Sequence, residues 1–302
     1  MSKSILLTFD VEDWFQVENL KKCIPFSSWP RCELRVEKST RRLLDCLDRA
    51  FNGRDDSAAS TCGPPKATFF VLGWLARQLP NLVREIAARG HEIASHGLYH
   101  NLCSQCSIED LRVDLSESKK ILEDIIGSEV HGYRAPSFSI MPEALKLIEE
   151  CGYTYDSSYN SFSAHKRYGR IDLVQNAHGI ANHVLPSLYE LPISNLKIGK
   201  YTIPMGGGGY FRFMPIWLFK KAVGSIISKQ GAYLFYMHPW EIDPEQPRVK
   251  GLPFSFRFRH YMNLDVTASK LCDFLRAFSG CRFLTCRGYI GRITEGESVR
   301  EI

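Results

Sequence analysis

A chain of 302 residues with 44% hydrophobic content can bury one sizeable core, and α/β barrels commonly spend about 250 residues on a single domain. The formal net charge of +5 comes without a basic tract or RNA-binding signature, which excludes nucleic acid as the expected partner. No run of apolar residues reaches the length of a membrane span.

The N-terminus reads Met-Ser-Lys-Ser-Ile-Leu-Leu-Thr-Phe-Asp. Its apolar stretch is too short for a signal peptide and runs straight into acidic residues. Several of the ten cysteines fall inside apolar patterns, where a free thiol behaves as a small hydrophobe. A chain of this size needs no disulfide scaffold. A reducing, cytoplasmic setting is therefore the expectation.

Strand-like runs are predicted at 4–9, 67–72, 91–95, 130–134, 153–157, 189–193, 233–237 and 283–286. Residues 52–66, rich in Gly, Pro, Ser and Asp, read as a loop. A helix is predicted over 81–89, with Leu82, Val83, Ile86 and Ala87 on one face. Ser107 reads as the N-cap of a second, with Asp110 in the capping-box position. That helix carries Leu111, Leu115, Leu122, Ile125 and Ile126, and Gly127 ends it. Pro142 suits the first position of a third, and Pro215 and Gly231 bracket a fourth. The order helix, Gly, strand recurs at Gly90, Gly152 and Gly231, as expected of glycines that stop helices. Residues 243–260 read as extended. Alternating strands and helices predict a mostly parallel sheet, open or closed.

The residues able to do chemistry follow the predicted strands. Asp10-Val11-Glu12-Asp13 leaves the first strand, and three acids at a buried strand end call for a cation or compensating hydrogen bonds. A helix N-terminus is the structural alternative. His96 and His100 follow another strand. Two imidazoles four residues apart meet on one face if the chain turns helically there, and neutral imidazole is a common zinc ligand. Arg134 offers a rigid fork for a carboxylate. His238, fixed by Pro239, suits acid or base work. Each signal alone has a structural explanation, as weighty as a metal site for the acids and commoner than one for the histidine pair. Together they share the C-terminal ends of strands, which form the active face of α/β barrels.

These motifs resemble the polysaccharide deacetylases of carbohydrate esterase family 4, the NodB-homology family. The matching pieces are Thr8-Phe9-Asp10, 67–71, 90–96 with His100, Arg134-Ala135-Pro136 and His238-Pro239. Asp10-Val11-Glu12-Asp13-Trp14-Phe15, 134–139, 155–158 and 260–263 are most similar to the branch associated with bacterial exopolysaccharide export loci. The resemblance implies a distorted (β/α) barrel of about seven strands. It implies one deacetylase domain over 1–302, with a branch-specific C-terminal extension at 241–302 packed on it.

By the same resemblance Asp10 is the catalytic base, Arg134 its orienting partner and His238 the catalytic acid. Glu12, His96 and His100 hold a divalent metal, expected to be Zn²⁺, with Asp13 as the alternative to Glu12. The family's second consecutive Asp is replaced here by Val11, which leaves that choice open. Trp14, Pro136, Ser137 and Trp240 are the expected substrate contacts, and Asp156 is a candidate to support His238 or bind substrate, with a capping role as the equal alternative. Ser137 stands where the family usually has Tyr.

The implied reaction removes N-acetyl groups from a polysaccharide or its glycan precursor, and a lipid-linked precursor would place the protein at the inner membrane face. The alternatives are a small-molecule amidohydrolase acting on cyclic ureides or formamides, and a non-catalytic barrel that binds sugar. A separate zinc cluster at His100, Cys103 and Cys106 lacks a second Cys pair. The glycine run 206–209 reads as a flexible turn or a substrate loop. Sugar identity, linkage and oligomeric state are left open.

Overall fold

The computed structural model describes residues 3–51, 63–162, 167–173 and 179–298. Its centre is β1 (Ser4–Val11), whose eight residues are all buried. A strand covered on both faces reads as a continuous apolar run without alternation, the mark of a parallel sheet inside helices. Around it lie β2 (Thr68–Val71), β3 (Glu92–Ser95), β4 (Gly132–Tyr133), β5 (Tyr155–Asp156), β6 (Asn182–Leu185), β7 (Leu188–Glu190), β10 (Ala232–Met237) and β11 (Arg282–Leu284). They form one nine-stranded sheet in the order β10-β1-β2-β3-β4-β5-β7-β6, with β11 off that path beside β1. The strands from β10 to β7 are parallel, while β6 turns back antiparallel on β7. A separate hairpin joins β8 (Asn195–Ile198) to β9 (Tyr201–Pro204).

The sheet curls into the distorted (β/α) barrel expected of the family, with β6 and β11 added to the seven strands from β10 to β7. β1 pairs with β10 from Ser4 to Phe9 on one side. Its other side is shared, with β11 alongside Ser4–Leu6 and β2 alongside Thr8–Val11. Among the described residues no ladder joins β7 to β10 to close the ring. Leu234 N–H donates to Ser194 Oγ at 2.9 Å and Tyr236 N–H to the Gly206 carbonyl at 2.7 Å.

The helices run back between the strands. α3 (Pro80–Ala88), α4 (Ile108–Ile126), α5 (Pro142–Glu150) and α7 (Ile216–Gln230) fall where the sequence places helices. Asp110 N–H donates to the Ser107 side chain at 3.1 Å, closing the N-cap of α4. Four further helices have no counterpart in the sequence reading: α1 (Val36–Arg49), α2 (Gly73–Gln78), α9 (Leu264–Ala277) and α10 (Cys286–Ser298).

Three expectations are corrected. The stretch 243–260 is not extended throughout, since Pro253 opens α8 (Phe254–Tyr261). The last predicted strand is Arg282–Leu284, and Cys286 begins α10 instead. The glycine run is not a free turn, because Gly208 starts α6 (Gly208–Phe213). Of the predicted loop 52–66, residues 52–62 lie outside the described residues.

Candidate active site at the strand ends

Beyond β1 the chain turns sharply, with Glu12 N–H donating to the Asp10 carbonyl at 2.9 Å. This replaces the straight continuation that alternate-residue geometry predicts. It still leaves Asp10 and Glu12 facing one ring, for His238 Nε2 lies 3.9 Å from Asp10 Oδ2 and 3.8 Å from Glu12 Oε1.

His96 follows β3 and His100 ends the next turn, in a left-handed conformation with φ 56°. That turn depends on Gly97. Its φ is 75°, and a Cβ there would sit 2.6 Å from an Asp114 oxygen. Asp114 in turn accepts the Leu98 N–H at 2.9 Å and so ties the turn to α4.

Both imidazole Nε2 atoms lie 3.0 Å from Glu12 Oε1, and one donor atom from each of Glu12, His96 and His100 falls within 4.8 Å of the others. All three side chains are buried. His96 Nδ1 points at the Arg134 carbonyl at 2.8 Å, so the ring carries its hydrogen there. A neutral ring then turns a lone pair at Nε2 toward a carboxylate oxygen, which repels unless a cation lies among them. Burial opposes charge on Glu12, but the neighbouring His100, His238 and His96 outweigh it and hold the carboxyl well below its usual range. Among the described residues no other group of three His, Cys, Asp or Glu donors is close enough to share an ion. That includes the segment of Cys103 and Cys106.

Asp10 is paired with Arg134, which is wholly buried. The guanidinium donates to Asp10 Oδ1 at 2.6 Å, Thr8 Oγ1 at 2.8 Å, the Ser157 carbonyl at 2.9 Å and Ser157 Oγ at 2.8 Å. It also lies 4.1 Å from the Phe70 ring centroid. A buried ion pair is tolerable only when its hydrogen bonds are satisfied in this way. The bond fixes one carboxylate oxygen and leaves Oδ2 on the side of His238.

His238 ends β10 and is the most open of these groups, with its side chain 19% exposed. Its Nδ1–H donates to Glu241 Oε1 at 2.8 Å, and its backbone N–H reaches the same oxygen at 3.0 Å. The ring therefore presents Nε2 to Asp10 and Glu12. Burial disfavours the imidazolium, yet Glu12, Glu241 and Asp10 more than compensate and push its pKa up to about 9. Glu241 is held down at about 2 against the cost of its own burial, by Arg212 and His238. Neither Glu241 nor Arg212 was among the residues singled out from sequence. His-Pro-Trp-Glu has the spacing of a helix cap, which could have pointed to Glu241. Arg212 carries no local signal.

The other expected contacts fall differently. Asp13 does not reach the imidazoles. Its carboxylate accepts the backbone N–H groups of Trp14 at 2.8 Å, Arg35 at 2.7 Å and Val36 at 2.9 Å, and burial pushes its pKa up to about 6 despite those bonds. The two tryptophans are corrected as sugar platforms. Trp14 is 7% exposed, donates its indole N–H to the Glu33 carbonyl and meets Phe15 edge-on. Trp240 is 6% exposed and stacks between the rings of His238 and His260. Asp156 does not support His238, since its oxygens take the Ser158 hydroxyl at 2.6 Å and the Ser158 N–H at 3.2 Å. Pro136 is buried. Ser137 is half-buried, and it and Phe138 both have positive φ, at 53° and 57°. Non-glycine residues in that region cost energy and gather at functional sites.

Sequence and structure comparisons fit this arrangement. The polysaccharide deacetylase family profile matches residues 65–155, and a domain of unknown function, DUF3473, matches 157–290. A peptidoglycan deacetylase-like protein of Gibberella zeae is 30% identical over 161 residues, which cover 52% of this chain and 44% of that protein. A peptidoglycan-N-acetylglucosamine deacetylase of Bacillus cereus is 34% identical over 29% of this chain and 41% of its own length. A chitooligosaccharide deacetylase of Sinorhizobium fredii is 38% identical over 18% of this chain and 26% of its own. The chain thus spans less than half the length of these relatives. The crystal structure of a candidate polysaccharide deacetylase from Mycobacterium smegmatis superimposes with a TM-score of 0.63 at 22% identity, covering 100% of this chain and 93% of that one. It shares the fold.

Proposed function

We propose that the chain is a polysaccharide deacetylase, which removes N-acetyl groups from a polysaccharide or its glycan precursor by metal-assisted hydrolysis; the family profile over residues 65–155 supports this. Glu12, His96 and His100 would hold the metal. One carboxylate and two imidazoles suit Zn²⁺, and a bound ion would supply an acidified water and a polarised acyl carbonyl.

The protein's own groups do the rest. Asp10, with Oδ1 tied to Arg134, takes the proton of the attacking water on Oδ2. The backbone N–H of Ser137, in its left-handed turn, is the proposed donor to the tetrahedral oxyanion. His238, kept protonated by Glu241, gives its Nε2 proton to the departing nitrogen as the C–N bond breaks. An amine needs that proton, because an amide anion is too basic to leave. The products are acetate and a free amino sugar.

The observation that carries this reading is that His238 Nε2 lies 3.8 Å from Glu12 Oε1, within the Glu12–His96–His100 group, and 3.9 Å from Asp10 Oδ2, whose other oxygen Arg134 fixes. The exopolysaccharide branch rests on the Asp10–Phe15 and 260–263 motifs, and action on a lipid-linked precursor at the inner membrane face belongs to the same proposal. Among the described residues no helix is long and apolar enough to cross a membrane.

The test is acetate release from acetylated glucosamine oligomers by the metal-loaded chain. Asp10→Asn and His96→Ala are expected to lower it by at least about 100-fold, the range of general-base and metal contributions, while circular dichroism shows the fold retained. A chelator is expected to reproduce the second variant. Retained activity in both variants, or preferential hydrolysis of cyclic ureides or formamides, would overturn the assignment.

A further inference from the structure

The group opposite His238 is better built than a loose surface pair would be, and its far end lies in the region matched only by the domain of unknown function. Arg212, on α6, is 3% exposed. Its Nε–H donates to Glu241 Oε2 at 2.6 Å. Its Nη1 donates to the carbonyls of His260 at 3.0 Å and Met262 at 2.9 Å. The other oxygen of Glu241 takes both N–H groups of His238. The carboxylate is therefore held from both ends, and it cannot turn about its terminal bond without breaking a charged hydrogen bond.

A second constraint acts on the ring plane. His238 stacks on Trp240 at 5.3 Å and 22°, and Trp240 stacks on His260 at 4.5 Å and 15°. His260 is anchored in turn by Gln246 at 2.8 Å. The Arg212 guanidinium lies 5.3 Å from the Trp240 centroid, against the same stack. α6 itself exists because the glycine run permits it. Gly207 has φ 134°, and a Cβ there would fall 1.9 Å from the Tyr236 carbonyl oxygen.

We propose that Arg212 is a positioning residue for amide hydrolysis, acting on the proton donor His238 through Glu241, so that the C-terminal region holds the acid half of the site. This rests on the deacetylase reading above. A buried structural ion pair would show the same bonds, and the leaving group separates the two roles. An amine cannot depart without the His238 proton, whereas nitrophenolate departs unprotonated. Misplacing His238 slows cleavage of an amide far more than cleavage of a nitrophenyl ester. Damage to the scaffold slows both alike.

The experiment compares Arg212→Met and Arg212→Lys with the unmodified, metal-loaded full chain on acetylated glucosamine oligomers and on 4-nitrophenyl acetate. Arg212→Met is expected to lower kcat on the oligomer by about 30-fold or more, within the range of general-acid contributions, with KM changed less than about threefold. The ratio of amide to ester turnover is expected to fall by at least about tenfold, and Lys to restore part of it. Should Arg212→Met fail to fold, Arg212→Met/Glu241→Gln removes both buried charges together and is read by the same ratio. An unchanged ratio in the folded variants overturns the proposal. An unmodified chain that cleaves the ester but releases no acetate from the oligomer removes the deacetylase reading and the inference with it.

Discussion

Two neighbouring acids, Glu12 and Asp13, do opposite work with the same functional group. Glu12 faces two imidazole nitrogens at 3.0 Å, while Asp13 is spent on three backbone N–H groups that start α1 and hold the turn after β1. Their substitutions should separate accordingly. Glu12→Gln is expected to abolish metal retention, read by elemental analysis after gel filtration, with the metal-free chain still folded. Asp13→Ala leaves buried donors unpaired and is expected to cost about 3 kcal/mol in denaturant unfolding, while the folded fraction still takes up metal. Metal loss in Asp13→Ala equal to that in Glu12→Gln would reverse the two roles. The sequence left this choice open because consecutive side chains differ in direction only through the local turn. The same limit explains Trp14 and Trp240. Both adjoin the motif in sequence, yet one enters the aromatic core and the other backs His238.

At the scale of elements, the site stands on strand ends, and the caps and glycines that frame them were readable. Ser107, Pro142 and Pro215 mark helix starts through chemistry confined to a few residues. The shortest strands were not readable at their true length. β4 and β5 contribute only Gly132–Tyr133 and Tyr155–Asp156, because neighbouring strands and not local pattern set where pairing ends. α8 escaped detection because its apolar residues do not gather on one buried face, and Phe254 is 82% exposed. The turn after β3 makes a sharp prediction. Gly97→Ala forces a side chain into Asp114 at a left-handed position, and is expected to cost about 2 kcal/mol or more of stability and to lower metal uptake by displacing His100. Full metal occupancy in that variant would show that the turn is not needed to hold the second imidazole.

Over the whole molecule, the first and last thirds of the chain are interlocked. β11 pairs with the start of β1 and the Cys286 N–H donates to Thr68 Oγ1 at 2.9 Å, while Tyr289 Oη ties in the middle third by accepting the Ile180 N–H at 3.1 Å. We therefore propose that residues 241–302 do not form a detachable appendage on a smaller catalytic core. A chain ending at residue 240 is expected to lose cooperative thermal unfolding as well as activity, because it lacks β11 and the partners of Trp240 and Arg212. A folded, metal-binding fragment of that length would contradict this. The proposed base and metal halves of the site were legible because each sits directly after its strand. The support of the acid half was not, because Arg212 meets Glu241 only once α6 has packed against the segment at 260–262.

The unlaced seam between β7 and β10 has a mechanical meaning. Among the described residues β7 and β10 share no ladder, and bonds from Tyr233, Leu234 and Tyr236 to the connecting segment hold the seam instead. The seam lies on the far side of β10 from its pairing with β1. His238 lies at the tip of that strand, so the proposed proton donor stands beside this seam, while Glu12 and His96 follow strands that are paired on both sides.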